Sequence, residues 1–351
     1  MSTEILAIAC DQQILRSYTL PFAGSVLVRT GQEVEAGEPV AEIKMPERYQ
    51  VFDVINGLKI NPKNIDHHIE RLVGEPVKAG DVIAQKSGLI SRLFRASQDG
   101  MVVAIRDGRI TMALGEKKLQ VLATFPGTVV EIIPERGAVV AVQGLLLQGV
   151  WGNGLNSSGE LVSLEAAEPA GGEQPAAADL QGKIAALAHI ASKTTFSALL
   201  NRKPAGLVLG SVMPELLPAL EQAQLPVMVL VGYGDYETDT PSKAMLRQME
   251  GQMVYLNANE ADASEQSRPD LIMPGKAQVS PGLFHEKLHL EIGRRVRLLG
   301  KPYTGSTGEI VELPVEPEKF ASGLMMRAVV VRREDDLIVR IPRENVELIL
   351  E

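Results

Sequence analysis

The sequence predicts a multidomain chain in which two β-rich regions flank a smaller α/β region. At 351 residues and roughly 150 residues per domain, the length favours two to three domains. The 32 glycines and 21 prolines indicate many tight turns and short strands. Residues 164–179 form a run rich in Ala, Gly, Pro and Glu, which is the composition of a linker. We therefore expect a β domain over residues 1–163, a linker over 164–179, an α/β domain over 180–275 and a β-barrel over 276–351.

Charge and cysteine content exclude several classes of protein. The formal net charge of −9 disfavours non-specific binding to nucleic acid or to an anionic membrane, because both depend on surplus Lys and Arg. A single cysteine, Cys10, excludes an intrachain disulfide and a multi-cysteine metal site. The N-terminus has no basic start followed by an apolar core. We expect a cytoplasmic protein that is not in a membrane.

Internal repeats define the first β region. The pattern Gly, Val, Gly and an apolar pair over residues 31–41 returns at identical spacing over residues 74–84. A second element, a glycine followed by a strand rich in β-branched residues, occurs at Gly24, Gly100 and Gly127. Glycine reaches the positive φ of a tight reversal, and valines suit a pleated surface. Glycine-cornered hairpins are therefore predicted here.

This pattern resembles the barrel-sandwich hybrid, the fold of biotinyl and lipoyl carrier domains. In those domains the modified lysine lies about ten residues after the second glycine, which corresponds to Glu47 in the first repeat and Ile90 in the second. Lys44 lies three residues too early, beside Pro46. The resemblance therefore implies the fold without the modification, and we expect no cofactor.

The middle region predicts a three-layer, parallel α/β domain, from the alternation of strands and helices. Apolar spacing over residues 180–201 predicts a helix, and short strands are predicted at 206–209, 226–231 and 253–256, with helices at 214–223 and 242–249. Ligands bind such domains at the carboxyl ends of the strands. The candidate loops are Gly210 with Ser211, and Gly232, Tyr233, Gly234 and Asp235. Trp151 and Asn153 form a further candidate ligand or partner loop, with a structural turn as the alternative.

The most specific chemical motif is the spacing of His285, Glu286 and His289, which matches that of zinc peptidases on a helix. The residues around it alternate between apolar and polar at 288–292, which predicts a strand. On a strand, positions i and i+4 lie about 13 Å apart, so two histidines at that spacing do not share one ion. We expect no metal site.

The C-terminal strands resemble a small SH3-like barrel of the KOW type, on the element Thr307-Gly308-Glu-Ile-Val311. KOW domains often bind RNA, ribosomal proteins or RNA polymerase, so the resemblance implies a nucleic-acid or partner face. Its candidate residues are Arg294, Arg295, Arg297 and Arg332. Residues 293–351 hold ten basic and ten acidic side chains, and this balance weakens the RNA interpretation.

These observations favour a non-enzymatic binding or scaffold protein, an accessory subunit of a cytoplasmic complex with protein partners. No catalytic residues emerge, because no residue set combines a nucleophile, a base and an orienting group. Two alternatives stay open: a KOW factor associated with RNA, transcription or translation, and a subunit of an enzyme that binds a small ligand in the α/β crevice.

We predict that no covalent cofactor is attached, because the only lysine near the carrier position is misplaced. The intact mass of the protein purified from its native host should equal that of the bare chain, apart from N-terminal processing. An added biotin or lipoyl mass would contradict the prediction.

Overall fold

The computed structural model describes residues 6–60, 67–86, 91–164, 179–236, 238–259, 268–275, 289–299 and 301–350. This part of the chain is mostly β, with several sheets, as the sequence predicted. Within it, no helix is both long and apolar enough to cross a membrane.

The strands and helix of the first β region are β1 (Leu6–Thr19), β2 (Ser25–Val26), β3 (Glu33–Val34), β4 (Pro39–Met45), β5 (Arg48–Asp53), α1 (Val54–Leu58), β6 (Pro76–Val77), β7 (Val82–Lys86), β8 (Arg92–Arg95), β9 (Gly100–Arg106), β10 (Arg109–Leu114), β11 (Lys117–Leu122), β12 (Gly127–Ile133) and β13 (Gly137–Gln148).

The middle region contains β14 (Trp151–Gly152), β15 (Asn156–Leu164), β16 (Ile184–Ile190), α2 (Lys193–Asn201), β17 (Gly206–Val212), α3 (Leu217–Glu221), β18 (Val227–Tyr233), α4 (Thr240–Met249), β19 (Met253–Asn257) and β20 (Asp270–Pro274). The C-terminal region contains β21 (Arg295–Leu298), β22 (Thr307–Glu312), β23 (Pro317–Lys319), β24 (Met325–Arg333), β25 (Ile338–Pro342) and β26 (Val346–Leu350).

The first β region consists of two modules, one inserted in the other. The host module is built from β1 to β4 and β11 to β13, and the nested module from β5 to β10, residues 48–114. Antiparallel pairing of β4 with β11 continues, after a corner, as pairing of β5 with β10. A two-stranded ribbon therefore joins the modules, and the nested one occupies the position of the β4–β11 hairpin tip.

Equivalent backbone hydrogen bonds show that the two modules share one design. Gly31 N donates to Val129 O at 2.7 Å in the host, and Gly74 N donates to Val102 O at 2.7 Å in the nested module. Both glycines have positive φ, at 81° and 89°, which only glycine adopts without strain. The predicted repeat is thus a repeated corner that turns the chain between two strands.

Each module has a buried apolar core of its own. The host core contains Ile14, Tyr18, Val34, Val40, Phe125, Val129, Val140 and Val142, among others. The nested core contains Phe52, Val54, Leu58, Val77, Ile83, Val102, Ile110, Met112 and Leu114, among others. A Cβ on Gly57 in α1 would lie 2.0 Å from the Phe94 ring, so this glycine allows α1 to pack on β8.

Four parallel strands form the centre of the middle region, in the order β15, β16, β17 and β18. Helices α2 and α3 pack on one face of this sheet and α4 packs on the other. Next to β15, β19 runs antiparallel, followed by β20 and β13, while β14 pairs with β18 at the opposite edge. Since β13 leads directly into β14, one stretch of chain borders this group of strands on both sides.

The helix predicted over residues 180–201 is wrong in its first half, where Ile184–Ile190 forms the central strand β16. A strand covered on both faces is apolar on both sides, so its sequence lacks the alternation that identifies a half-exposed strand. The strand predicted at 288–292 is absent over its described residues 289–292, and residue 288 lies outside the described part.

Strand pairing also crosses the boundary expected at residue 163. Strand β15 precedes the predicted linker, yet it pairs in parallel with β16 and antiparallel with β19. Residues 165–178, most of that linker, lie outside the described residues. The division into domains stays a prediction, but the sheet of the middle region includes β13, β14 and β15.

A buried ionic network attaches the C-terminal strands to the middle region. Arg297 on β21 is fully buried, and its guanidinium lies 2.6 Å from Glu347 on β26 and 3.3 Å from Asp239 at the start of α4. It also donates to Ser242 Oγ at 3.3 Å and to the Gln148 carbonyl of β13 at 3.2 Å. Burial alone disfavours its charge, but the two carboxylates raise the pKa of Arg297 above its usual value.

We predict that Arg297→Ala destabilises the protein strongly, by about 3–5 kcal/mol, because it leaves two carboxylates buried without their cation. The exposed Arg294 on the same segment is the control, and Arg294→Ala should change stability by less than about 0.5 kcal/mol. Urea unfolding followed by circular dichroism measures both. Equal effects of the two substitutions would contradict the role of the network.

Candidate functional site

The carboxyl ends of β16, β17 and β18 bring several predicted site residues together at one edge of the sheet. His189 lies opposite Ser211, and Ser211 lies opposite Gly232 on the next strand. Gly210 and Tyr233 are the neighbours of this row in the sequence. The loops predicted at Gly210 with Ser211 and at Gly232 with Tyr233 are wrong, because β17 and β18 extend through these residues. The four residues nevertheless meet at this edge, near the ends of two neighbouring strands.

Ser211 and His189 form a hydrogen-bonded pair that resembles a nucleophile and its base. Ser211 is fully buried, and its hydroxyl donates to the Tyr236 carbonyl at 2.8 Å. The same oxygen accepts from the Tyr236 N–H at 3.3 Å and lies 2.7 Å from His189 Nδ1. Because Ser211 is buried and bonded to both backbone groups of Tyr236, it fixes the loop after β18.

The loop after β18 fills the space above Gly210. A Cβ on Gly210 would lie 1.9 Å from Thr238 Oγ1 and 2.3 Å from the Ala188 carbonyl. Glycine is required here because Thr238, itself buried, occupies the volume of a side chain. The chain thus fills the part of the crevice that lies above Gly210.

The second candidate loop is divided between packing and solvent. Tyr233 packs partly against the core beneath α2 and α3, and burial, with a contribution from Glu221, raises the pKa of its phenol to about 12. Asp235 is exposed, whereas Asp239 is buried against Arg297. Glu237 lies outside the described residues. Of the described carboxylates in this loop, only that of Asp235 faces solvent.

Trp151 and Asn153 are engaged in packing. Trp151 on β14 contacts the same core as Tyr233. The Asn153 amide donates to the carbonyls of Leu225 at 2.9 Å and Leu220 at 3.3 Å, and its oxygen accepts from Val227 N at 3.0 Å. All three polar interactions of Asn153 hold the end of α3 against β18. The structural alternative fits these two residues better than a ligand loop does.

The predicted arginine face does not assemble as a basic surface. Arg297 is buried and cannot belong to it. Arg294 lies 3.5 Å from Glu291, and Arg295 lies 3.0 Å from Glu334. Arg332 is exposed and stands directly opposite Glu309, which in turn stands opposite Arg295. Each of the other three arginines thus has a carboxylate beside it or opposite it on the sheet.

The residues considered for metal and carrier chemistry are described only in part. No group of three or more His, Cys, Asp or Glu side chains that could hold a metal occurs in this part of the chain. His289 is exposed, while His285 and Glu286 lie outside the described residues. Lys44 lies within the ribbon, 3.1 Å from Glu116, and so is not at a hairpin tip.

An exposed apolar groove, which the sequence analysis missed, lies on the outer face of the nested module. The central strand β10 places Ala113 between Tyr49 on β5 and Met101 on β9. Two residues further along β5, Val51 lies on the same face as Tyr49, and Val103 lies at the bulge of β9. The exposed fraction is 63% for Tyr49, 57% for Val51, 47% for Met101 and 37% for Val103. Large residues flank a small one, so the face is a shallow trough along β10.

The host module provides an internal comparison for this groove. Its equivalent row is Leu15, Ala141 and Thr128, in which Ala141 is the central residue. Leu15 and Thr128 are half-buried there, whereas the nested module has the larger Tyr49 and Met101 and exposes them. Because two copies of one design differ at this row, the fold itself does not require the exposed apolar side chains. The signal in the sequence is that residues 49–52 include apolar side chains on both faces of β5.

Comparison of this chain with protein-family models and with curated proteins finds no match.

We predict that Ser211→Ala lowers stability by about 1–3 kcal/mol, since it removes the hydrogen bonds of the buried hydroxyl to the Tyr236 backbone and to His189. Ser163→Ala on the exposed face of β15 is the matched control and should have an effect below about 0.5 kcal/mol. Thermal and urea unfolding measure both. A fluorophosphonate probe should not label Ser211, and labelling there would contradict the structural role.

Proposed function

We propose that this chain is a non-enzymatic scaffold, an accessory subunit of a cytoplasmic complex, which presents its nested module to a partner protein. The observation that carries the proposal is the exposed apolar groove formed by Tyr49, Val51, Met101 and Val103. Exposed apolar side chains that cluster on one face mark interaction sites. Tyrosine and methionine are also enriched at the centres of protein interfaces.

The arrangement of the modules supports a presenting role. The nested module has its own core and joins the host through one two-stranded ribbon. The host sheet continues into the middle region through β13 and β20, and Arg297 attaches the C-terminal strands there. The groove therefore lies on a small module carried by a larger, internally linked base.

The finer fold assignments are part of this proposal. We assign the host and nested modules to the barrel-sandwich hybrid type, on the repeated glycine corners and the matching hydrogen bonds of Gly31 and Gly74. We assign β21 to β26 to an SH3-like barrel of the KOW type, on the antiparallel pairing of β21 with β22 and β26 and of β24 with β22 and β25. Both folds occur in proteins with many different functions. The groove, and not the fold, therefore supports the proposed scaffold role.

The two alternative functions have less support in the described residues. A nucleic-acid face needs clustered cations without nearby acids, and here Glu291, Glu334 and Glu309 accompany the exposed arginines. A ligand in the α/β crevice needs the volume that Thr238 occupies above Gly210. We therefore advance neither alternative as a second function.

The test is affinity purification of the full chain from its native host, with quantitative mass spectrometry of the proteins and RNA that accompany it. Tyr49→Asp combined with Met101→Asp places two charges in the groove without altering the core. The matched control is Val315→Asp with Leu324→Asp, which changes two exposed apolar residues of the C-terminal region. We expect at least one protein partner to be lost from the groove variant and kept by the control.

Circular dichroism and thermal unfolding verify that both variants keep the fold. An unchanged partner set in the groove variant would contradict the proposal. Loss of the partner only in the control would also contradict it, because the C-terminal region would then be the docking surface. Recovery of RNA in place of protein would favour the nucleic-acid alternative.

A further inference from the structure

We infer, on the basis of the proposed function, that the groove takes a partner protein whose contact surface is apolar at its centre and acidic beside Arg106 and Arg109. The two arginines flank the turn between β9 and β10, at one end of the trough. Their Cα atoms are directly paired, and both side chains are exposed. Tyr49, Ala113 and Met101 form an apolar row across β5, β10 and β9. This row lies farther from the turn than the row that contains Val51.

Within the sheet, only one of the paired arginines, Arg109, stands opposite a carboxylate, that of Asp53. Like charges directly opposite each other on neighbouring strands destabilise the pairing. The turn between them, Asp107 and Gly108, has φ of 49° and 71°, the backbone of a tight two-residue hairpin that forms without arginine at its flanks. A carboxylate from outside, placed between the guanidinium groups, would convert this repulsion into attraction.

The nearest carboxylate on the sheet is engaged within the module. Asp53 stands opposite Arg109, but its two oxygens accept from the backbone N–H of Asn56 at 3.1 Å and from the Asn56 side-chain amide at 2.7 Å. These bonds cap the N-terminus of helix α1. The bond from the Asn56 backbone N–H is also the main reason that the pKa of Asp53 is lowered. Asp53 thus contributes its charge beside Arg109, while each of its oxygens accepts one hydrogen bond at the start of α1.

Charge is distributed unevenly between the nested module and the remaining chain. Residues 48–114 contain ten basic and seven acidic residues, a formal charge of +3, so the rest of the chain carries −12. An acidic partner is attracted to the nested module and repelled elsewhere, which orients the encounter. A basic or uncharged partner gains no such preference for this module.

The shape of the groove indicates a polypeptide segment and not a small molecule. The trough is open along β10, and Ala113 is the small residue of its floor, with Thr111 in the next row. Tyr49 and Val51 form one wall, and Met101 and Val103 form the other. A strand or helix that projects a row of apolar side chains fits such a trough.

The experiment places a photo-crosslinking amino acid, p-benzoylphenylalanine, at Tyr49 of the full chain in its native host. Crosslinked peptides are identified by mass spectrometry, and the yield is compared with that of the same chain carrying Arg106→Glu and Arg109→Glu. Lys117→Glu with Arg327→Glu is the control, because it changes the net charge by the same amount at exposed positions elsewhere. The same crosslinker at Val315 controls for chance collisions.

We expect one partner peptide that combines apolar residues with Asp or Glu, at a yield that falls about fivefold or more on charge reversal near the groove. The control reversal should leave the yield unchanged, and crosslinking at Val315 should not give the same peptide. A peptide from a second copy of this chain, or a lipid or nucleic-acid adduct, would overturn the inference. So would a yield insensitive to Arg106→Glu and Arg109→Glu.

The outcomes separate this inference from the proposed function. If Tyr49→Asp with Met101→Asp removes the partner but charge reversal does not, the scaffold role holds and the acidic chemistry is wrong. If the groove variant keeps every partner, the scaffold role through this module is wrong, whatever the crosslinks show.

Discussion

A fully buried guanidinium determines how the C-terminal strands sit on the rest of the molecule. Arg297 contacts carboxylates from β26 and from the start of α4, together with a backbone carbonyl of β13. An unpaired buried charge is far less stable than a paired one, so all three elements must meet at this point. A second arginine, Arg268, also binds Glu347, and Arg16 of the host module binds Asp270 on β20. Ion pairs with little solvent contact thus connect the host module, the central sheet and the C-terminal strands.

Local patterns predicted local structure well. The glycine corners at Gly31 and Gly74 follow from a conformation that only glycine adopts freely, and their strands follow from β-branched alternation. The nesting of one module in the other was not predictable in this way, because the pairing of Met45 with Lys117 joins segments 72 positions apart. Strand β16 was mistaken for helix because both of its faces are covered.

The candidate site shows the same division between local and distant information. Gly210 and Ser211 lie inside β17 and not in the predicted loop, and their role depends on Thr238 and Tyr236, which follow the next strand. Arg297 and Arg295 look alike in the sequence, and only the packing of α4 and β13 over β21 makes one a buried anchor and the other a surface residue. Tyr49 carries no chemical motif, so its exposure became informative only beside its half-buried counterpart Leu15.

The nested insertion also shapes the order in which the chain acquires its structure. Host strands β4 and β11 are separated by a long loop, and closing a long loop is slow because it restricts many conformations at once. Pairing of Arg48 with Leu114 brings the ends of that loop together, so a folded nested module reduces the closure to a short hairpin. During synthesis, residues 48–114 emerge before β11, β12 and β13 exist. The inserted module can therefore fold first and act as the nucleus on which its host closes.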